Sequence, residues 1–251
     1  MRRKLVAGNW KMNGSLAALA ELDAIAAAAA ANPGVDVAVA VPATLIAPAT
    51  ARVPALAIGA EDIHPADAGA HTGCVSAAMV VEAGASFTIV GHSERRVEQR
   101  ESGQDVWAKA EAGRRGGLGV ILCLGETDVE RASGRAERVV ASQLERALPA
   151  GAGADWLTIA YEPRWAIGTG LTPTADDVEA IHLTVRTKLV DLLGEPGGAI
   201  RILYGGSVTG ENAAVMLAIP DVDGALVGGA SLTAAKFVPI ITAAATLQHD
   251  R

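Results

Sequence analysis

The stretch WLTIAYEPRWAIGTGLTPTADDVEAIHLTVRTKLVDLLGEPGGAIRILYG (156–205) holds one complete repeat of the architecture. Its ends, WLTIAYE (156–162) and IRILYG (200–205), are short β-rich runs, nearly continuous in apolar residues. That pattern fits strands covered on both faces, as in a parallel sheet. Between them TADDVEAIHLTVRTKLVDLL (174–193) reads as a helix. Thr174 is placed to cap it, and Asp176 and Asp177 lie in the first turn, where the helix dipole favours negative charge. The stretch is strand, crossover helix, strand.

The same alternation continues outward in both directions. Further strand-like runs are KLVAGN (4–9), VDVAVAV (35–41), LAIGA (56–60), FTIVG (87–91), LGVILCLG (118–125) and GALVG (224–228). Helix-like stretches rich in Ala, Glu, Arg and Leu separate them, among them SLAALAELDAIAAAA (15–29) with Ser15 as a candidate N-cap. Eight strand–helix units across 251 residues suit a closed (β/α)8 barrel in one domain, residues 1–251, since nothing resembling a linker or low-complexity tract divides the chain. A doubly wound open sheet is the rival architecture. No GxGxxG follows the first run, and the count of eight favours closure.

Half of the residues are hydrophobic but aromatics make up only 3%, so the core has to be built from Ala, Val, Leu and Ile. A formal charge of −7 argues against nucleic acid and anionic membranes as partners. It does not argue against a small anion held by locally concentrated donors. The opening Met1-Arg2-Arg3-Lys4 leads into too short an apolar run for a secretory signal, so the Asn13-Gly14-Ser15 acceptor pattern carries no weight. No stretch reaches the roughly 18 apolar residues of a spanning helix. Cys74 and Cys123 form no CxxC pair. The expectation is a soluble, cytoplasmic protein with reduced thiols.

In a parallel barrel all strands end at one mouth, where function gathers. The residues closing the runs there are Asn9 and Lys11, Glu61 and Asp62, His92, Glu126, Glu162, Gly205-Gly206-Ser207 and Gly228-Gly229. One mouth thus gathers a cation, an imidazole, an acid and two Gly-rich turns. A single Gly-Gly is more simply a tight turn. Two on neighbouring strands favour a phosphate cradle, because backbone N–H groups can approach an anion closely there. A lone His is more often structural, and His64, His71, His182 and His249 show no ligand spacing such as HExxH. His92, however, precedes a helix-like opening, a place that pushes imidazole toward its neutral, hydrogen-bond-donating form. Glu162 is either a structural acid paired with an Arg or a base. The loop after it, Pro163-Arg164-Trp165-Ala166-Ile167-Gly168-Thr169-Gly170, carries exposed-looking apolar residues, as a lid does. Desolvation under such a lid is expected to raise the Glu162 pKa and strengthen it as a base.

AGNWKMN (7–13), GAHTG (69–73), VGHSERR (90–96), AYEPRWAIGTG (160–170), LYGGSV (203–208) and GALVGGASL (224–232) resemble, in order and spacing, the signatures of the triosephosphate isomerase family. The match spans essentially the whole chain and implies a TIM barrel. It implies that Glu162 moves a proton between adjacent carbons of a triose phosphate, while neutral His92 polarises the carbonyl and shuttles protons between the oxygens. It further implies Lys11 as the positive charge for the enediolate, Asn9 as a donor near the same oxygens, and Glu94 as support for Lys11 and His92. The phosphate falls to the backbone N–H groups of Gly168, Ser207, Gly228 and Gly229, with Ile167 and Leu226 closing over Glu162. No metal or organic cofactor is implied. The expected partner is a second copy of the chain: the 61–75 loop docks there, with Thr72 reaching toward the other subunit's active site.

Several positions depart from the family pattern. Arg164 stands in the first lid hinge, where a small apolar residue is usual. Pro173 stands in the second, where a backbone N–H ordinarily meets the Tyr204 hydroxyl; proline has none to give. The closed lid is therefore expected to latch otherwise, by Ser207 on the Gly170 N–H. Cys74 replaces an acid, which removes an expected ion pair with Arg95. Glu61 replaces a Gln, with no evident catalytic consequence. The nearest rival activity is a sister isomerase of four-carbon ketose phosphates such as erythrulose phosphate. A non-catalytic sugar-phosphate barrel has no need of Lys11, His92 and Glu162 together, and a phosphate-binding lyase does not explain the lid.

Overall fold

The computed structural model describes residues 2–166 and 173–249. Eight parallel strands close on themselves in sequence order: β1 Leu5–Asn9, β2 Asp36–Val41, β3 Ala57–Ala60, β4 Phe87–Val90, β5 Gly119–Leu124, β6 Leu157–Tyr161, β7 Arg201–Tyr204 and β8 Gly224–Val227. Closure is made by β8 on β1, with Leu5 opposite Gly224 and Gly8 opposite Val227. The expected (β/α)8 barrel is the fold, and each strand lies inside the run that announced it.

Side chains alternate across a strand, so the strands sort into two apolar clusters. Inside the barrel lie Leu5, Ala7, Ala38, Ala40, Phe87, Ile89, Ile121, Cys123, Ala160, Leu203 and Leu226. Outside, Val6, Val39, Ile58, Leu122, Ile159 and Ile202 pack with helical residues such as Leu22, Val106, Leu144, Val185 and Ile240. Small residues on one strand make room for large ones on the next: a Cβ on Gly59 would sit 2.4 Å from the Phe87 ring. This is how a chain with two Phe and two Tyr fills a barrel.

The helix Ala175–Leu193 opens as expected, with Thr174 and Asp177 exchanging side-chain-to-backbone hydrogen bonds of 3.2 and 3.0 Å in a capping box. The first helix differs from expectation. Ser15 accepts the Ala18 N–H at 3.3 Å, which serves a short turn at Ala18–Ala20; the α-helix itself is Glu21–Ala31. Among the described residues no helix is long and apolar enough to cross a membrane.

At the end of the barrel opposite the mouth, Arg186 from the helix Ala175–Leu193 ties several elements together. Its guanidinium meets Asp223 at 2.7 Å and Asp221 at 2.8 Å, and donates to the carbonyls of Gly197 (3.0 Å) and Ile200 (2.6 Å). Asp223 also accepts the Ile202 N–H at 2.9 Å, so one buried carboxylate joins a helix to β7. Removing one member of a buried charge network leaves the others uncompensated. Arg186→Ala is expected to lower stability by about 3–5 kcal/mol, measured by chemical denaturation.

Candidate active site

The interior rows of β1 and β6 do not stop at the strand ends. Leu5 and Ala7 lead to Asn9, and Ala160 leads to Glu162, so strand parity alone turns both polar side chains into the mouth. Glu162 is only 3% exposed. Its backbone N–H stays on the ladder, donating to the Leu124 carbonyl at 2.7 Å, before Pro163 ends the strand. Space for the side chain comes from Gly205, where a Cβ would lie 2.8 Å from Glu162 Cγ.

His92 precedes the helix Ser93–Glu98. Its Nε2 lies 2.9 Å from Glu162 Oε1, and its Nδ1 lies 3.5 Å from Glu94 Oε2. The other carboxylate oxygen of Glu162 accepts the Ser93 N–H at 3.0 Å. Lys11 donates to Glu94 Oε1 at 2.6 Å, and its own N–H is held by Asn9 Oδ1 at 3.0 Å. The Lys11 backbone sits at φ 55°, a left-handed conformation that a side-chain-bearing residue adopts at an energetic cost. A strained backbone aims this ammonium into the mouth.

The electrostatics of the resting site differ from the expectation. Burial pushes the Glu162 pKa up, but the adjacent His92, the Ser93 N–H and Lys11 together outweigh it, and the carboxylate lies below its ordinary range. Burial pushes His92 down, yet the Glu162 carboxylate wins and raises it. Each group thus shifts the other, the imidazole upward and the carboxylate downward, as a close hydrogen-bonded pair does. Beneath them the Cys123 thiol is raised well above its ordinary value, first by burial and then by the Glu162 charge.

A cleft of about 790 Å³ brings together Asn9, Lys11, His92, Glu94, Glu162, Ser207, Leu226, Gly228 and Gly229. The Ser207 turn is fixed by Asn212, which donates to the Ser207 carbonyl at 3.0 Å and accepts the Thr209 N–H at 2.8 Å. Ile167 and Gly168, and the Gly170 of the expected latch, lie outside the described residues. Tyr204 does not face the cleft. Strand parity sends it outward into the helix layer, where its hydroxyl is buried without a hydrogen-bond partner among the described residues. Pro173 is buried.

Trp165 is not the exposed lid residue that the sequence suggests. Its Nε1 donates to Glu126 Oε1 at 2.8 Å and its ring lies under the Arg131 guanidinium, 4.1 Å away. Glu126, fully buried, also accepts from the Tyr161 hydroxyl at 3.0 Å, and Arg164 donates its N–H to the Glu126 carbonyl. The acid that follows β5 therefore anchors the start of the loop that follows Glu162. Ser93 was visible in the sequence only as the neighbour of His92, and Gly205 only as part of a Gly-rich turn; their contacts with Glu162 were not.

A second hollow of about 370 Å³ lies on the other side of the Lys11–Glu94 pair, lined also by Met12, Glu61, Asp62, His64, Gly73, Cys74 and Arg95. Thr72 is exposed on the neighbouring loop. Arg95 is not left unpaired by Cys74: it meets Asp62 at 3.0 Å and Glu101 at 2.6 Å.

A family model described as triosephosphate isomerase matches residues 4–244. The chain belongs to the triosephosphate isomerase family. It is 50% identical over 246 residues to the triosephosphate isomerase of Chelativorans sp. (strain BNC1), covering 96% of each chain. It is 52% identical over 242 residues to that of Bradyrhizobium sp. (strain ORS 278), covering 95% of this chain and 96% of the relative. A crystal structure of triosephosphate isomerase from Bartonella henselae superposes with a TM-score of 0.91 at 43% identity, over 96% of this chain and 98% of that one.

Against the family's usual Gln, Glu61 has a consequence after all, though for stability. Burial, with the Glu94 charge adding to it and Lys11 opposing, pushes its pKa up to about 8. Between the ordinary value of 4.5 and about 8 the folded chain keeps a proton that the unfolded chain releases, so stability falls as pH rises through this window. Glu61→Gln removes that loss. Denaturation curves are expected to coincide near the ordinary carboxylate range and to favour the variant by about 1–3 kcal/mol at the upper end of the window.

Proposed function

We propose that the chain interconverts D-glyceraldehyde 3-phosphate and dihydroxyacetone phosphate, with Glu162 as the base. The observation that carries this reading is the 2.9 Å contact between Glu162 and His92, in one cleft with Lys11 and both Gly-rich turns. A substrate carbonyl competes with Glu162 for the His92 N–H, since one N–H serves one acceptor well. Substrate entry therefore releases Glu162 from His92 and Ser93. Losing those donors removes what holds its pKa down, and the carboxylate becomes basic as it reaches the substrate carbon.

Glu162 takes the proton from the carbon bearing the hydroxyl, and the electron pair moves onto the carbonyl oxygen as an enediolate. Lys11 and the Asn9 amide stabilise that charge in a water-poor cleft. His92 gives its proton to one oxygen and recovers one from the other, and Glu162 returns the carbon-bound proton one position along. Charge and protons balance without a further reactant. Ser207, Gly228 and Gly229 hold the phosphate through backbone N–H groups, a role that extends to Gly168 in the lid. Leu226 bounds the base from the barrel side, and Ile167 is assigned the lid side, excluding water that would favour phosphate elimination. Glu94 orients Lys11 and His92.

The active form is a homodimer. The 61–75 loop, with Thr72 exposed on it, inserts beside the partner's Asn9 and Lys11. Met12 supports this: it is 97% exposed at the lip of the second hollow, where an inserted partner segment would cover it. A cytoplasmic location fits the reaction and the two unpaired cysteines.

Purified protein is expected to sediment as a dimer and to isomerise glyceraldehyde 3-phosphate. Glu162→Gln should lower kcat by at least about 10²-fold. Equal rates for the two would sink the base assignment, and a preference for erythrulose phosphates would move the substrate to the four-carbon class. His92→Gln removes the largest influence holding the Glu162 pKa down. The acid limb of kcat/KM against pH, which reports the free-enzyme base, should therefore move to higher pH.

A further inference from the structure

The cleft contains a cation that the proposed chemistry does not use. Its lining carries the carboxylates of Glu94, Glu162 and Glu211 against two amines, Lys11 and Lys236. Lys11 is held by Glu94 at 2.6 Å. Lys236 is exposed and has no ion pair among the described residues. Glu211, the exposed acid on the same rim, is drawn to its own loop, where the Thr209 hydroxyl and a backbone N–H hold its carboxyl below the usual range.

The position of Lys236 is electrostatically unfavourable for an unliganded protein. It is the third residue of the helix Ala234–His249, whose first turn already carries the positive end of the helix dipole. The short helices at Ile46, Ala77 and Ala213 carry no acid in the first turn, but each of the other described helices longer than eight residues, at Glu21, Gly103, Ala136 and Ala175, does. Here there is none. Glu21 reaches the same helix end, accepting the Ala234 N–H at 2.7 Å, but it does not line the cleft. The Gly229–Leu232 turn leads from the phosphate cradle into this helix, so cradle and ammonium share one rim.

We propose that Lys236 is a substrate-capture residue, a mobile positive charge that draws the phosphate dianion into the Gly228–Gly229 cradle and disfavours sugars lacking it. The assignment rests on the isomerase reading of the cleft. A net charge of −7 repels a dianion at long range, and an exposed cation at the cleft rim reverses that field locally. The long lysine stem lets the charge follow the phosphate inward, while the reacting carbons stay with Glu162 and His92. The effect belongs to encounter and binding, before any bond is broken.

The test compares Lys236→Gln, Lys236→Glu and Lys236→Arg with wild type in the full chain, at low and at near-physiological ionic strength. Glycerol 3-phosphate serves as an unreactive probe. For Lys236→Gln at low salt, kcat/KM is expected to fall about three- to tenfold through KM, with kcat retained, and more for Lys236→Glu. Added salt should shrink the difference. The dissociation constant of glycerol 3-phosphate, measured by calorimetry, should rise in step with KM, and Lys236→Arg should behave as wild type. Unchanged KM and probe affinity would overturn the proposal, as would a loss confined to kcat or indifferent to salt. Calorimetry needs no turnover, so an inactive wild type would refute the isomerase reading while leaving Lys236 still on trial.

Discussion

A carboxylate held almost out of reach of water is the constraint around which the mouth of this barrel is arranged. Taking an ionised acid out of water costs several kcal/mol unless hydrogen bonds and opposite charge replace the lost solvent. For Glu162 the replacements are the His92 imidazole, the Ser93 N–H and, further off, Lys11. His92 and Ser93 come from the unit after β4 and Lys11 from the one after β1, so the arrangement exists only when β1, β4 and β6 are closed into one ring. The same contacts that make burial tolerable also keep the acid a weak base at rest. A substrate that takes over His92 removes part of that restraint at the moment a stronger base is needed.

The barrel delivers those groups through parity. Leu5, Ala7 and Asn9 point the same way, as do Ala160 and Glu162, and the row that fills the core continues as the row that lines the site. Glycine sets how close the walls come, at Gly205 beside Glu162 and at Gly59 beneath Phe87. Charge follows a similar division of labour. Arg2 and Arg186 with Asp221 and Asp223 secure the far end of the barrel, and Lys109 and Arg95 with Asp62 and Glu101 secure the flank beside the second hollow. Those networks are internally neutralised. Lys236 stands apart because its countercharge is not among them.

Much of this was legible from residue order. The strands are recognisable as apolar runs because a doubly covered parallel strand has no solvent face to interrupt it. The helix Ala175–Leu193 was legible because Thr174 and Asp177 cap it locally. The start of the first helix was not. In the Ala-rich stretch after Ser15 no side chain marks where the short turn at Ala18–Ala20 gives way to the helix at Glu21. Trp165 looked like a loose apolar residue on a loop, yet Glu126 and Arg131, far off in sequence, hold it. Arg95 likewise keeps its charge partners despite Cys74, since Asp62 and Glu101 come to it from other segments.

The sequence by itself determined the alternation of strands and helices, the inventory of chemical groups at the strand ends and the glycines that allow an anion near the backbone. These depend on periodicity and on neighbours a few residues away. Tertiary structure alone decided which acid meets which imidazole and which way each titrates. It also decided that Tyr204 faces the helices and that Lys236 overlooks the cleft. The Ser93 N–H and the Glu162 carboxylate are 69 residues apart in the chain and 3.0 Å apart in space. Desolvation and Coulomb interaction act over that second distance, so the protonation bias of the site is written only once the barrel has closed.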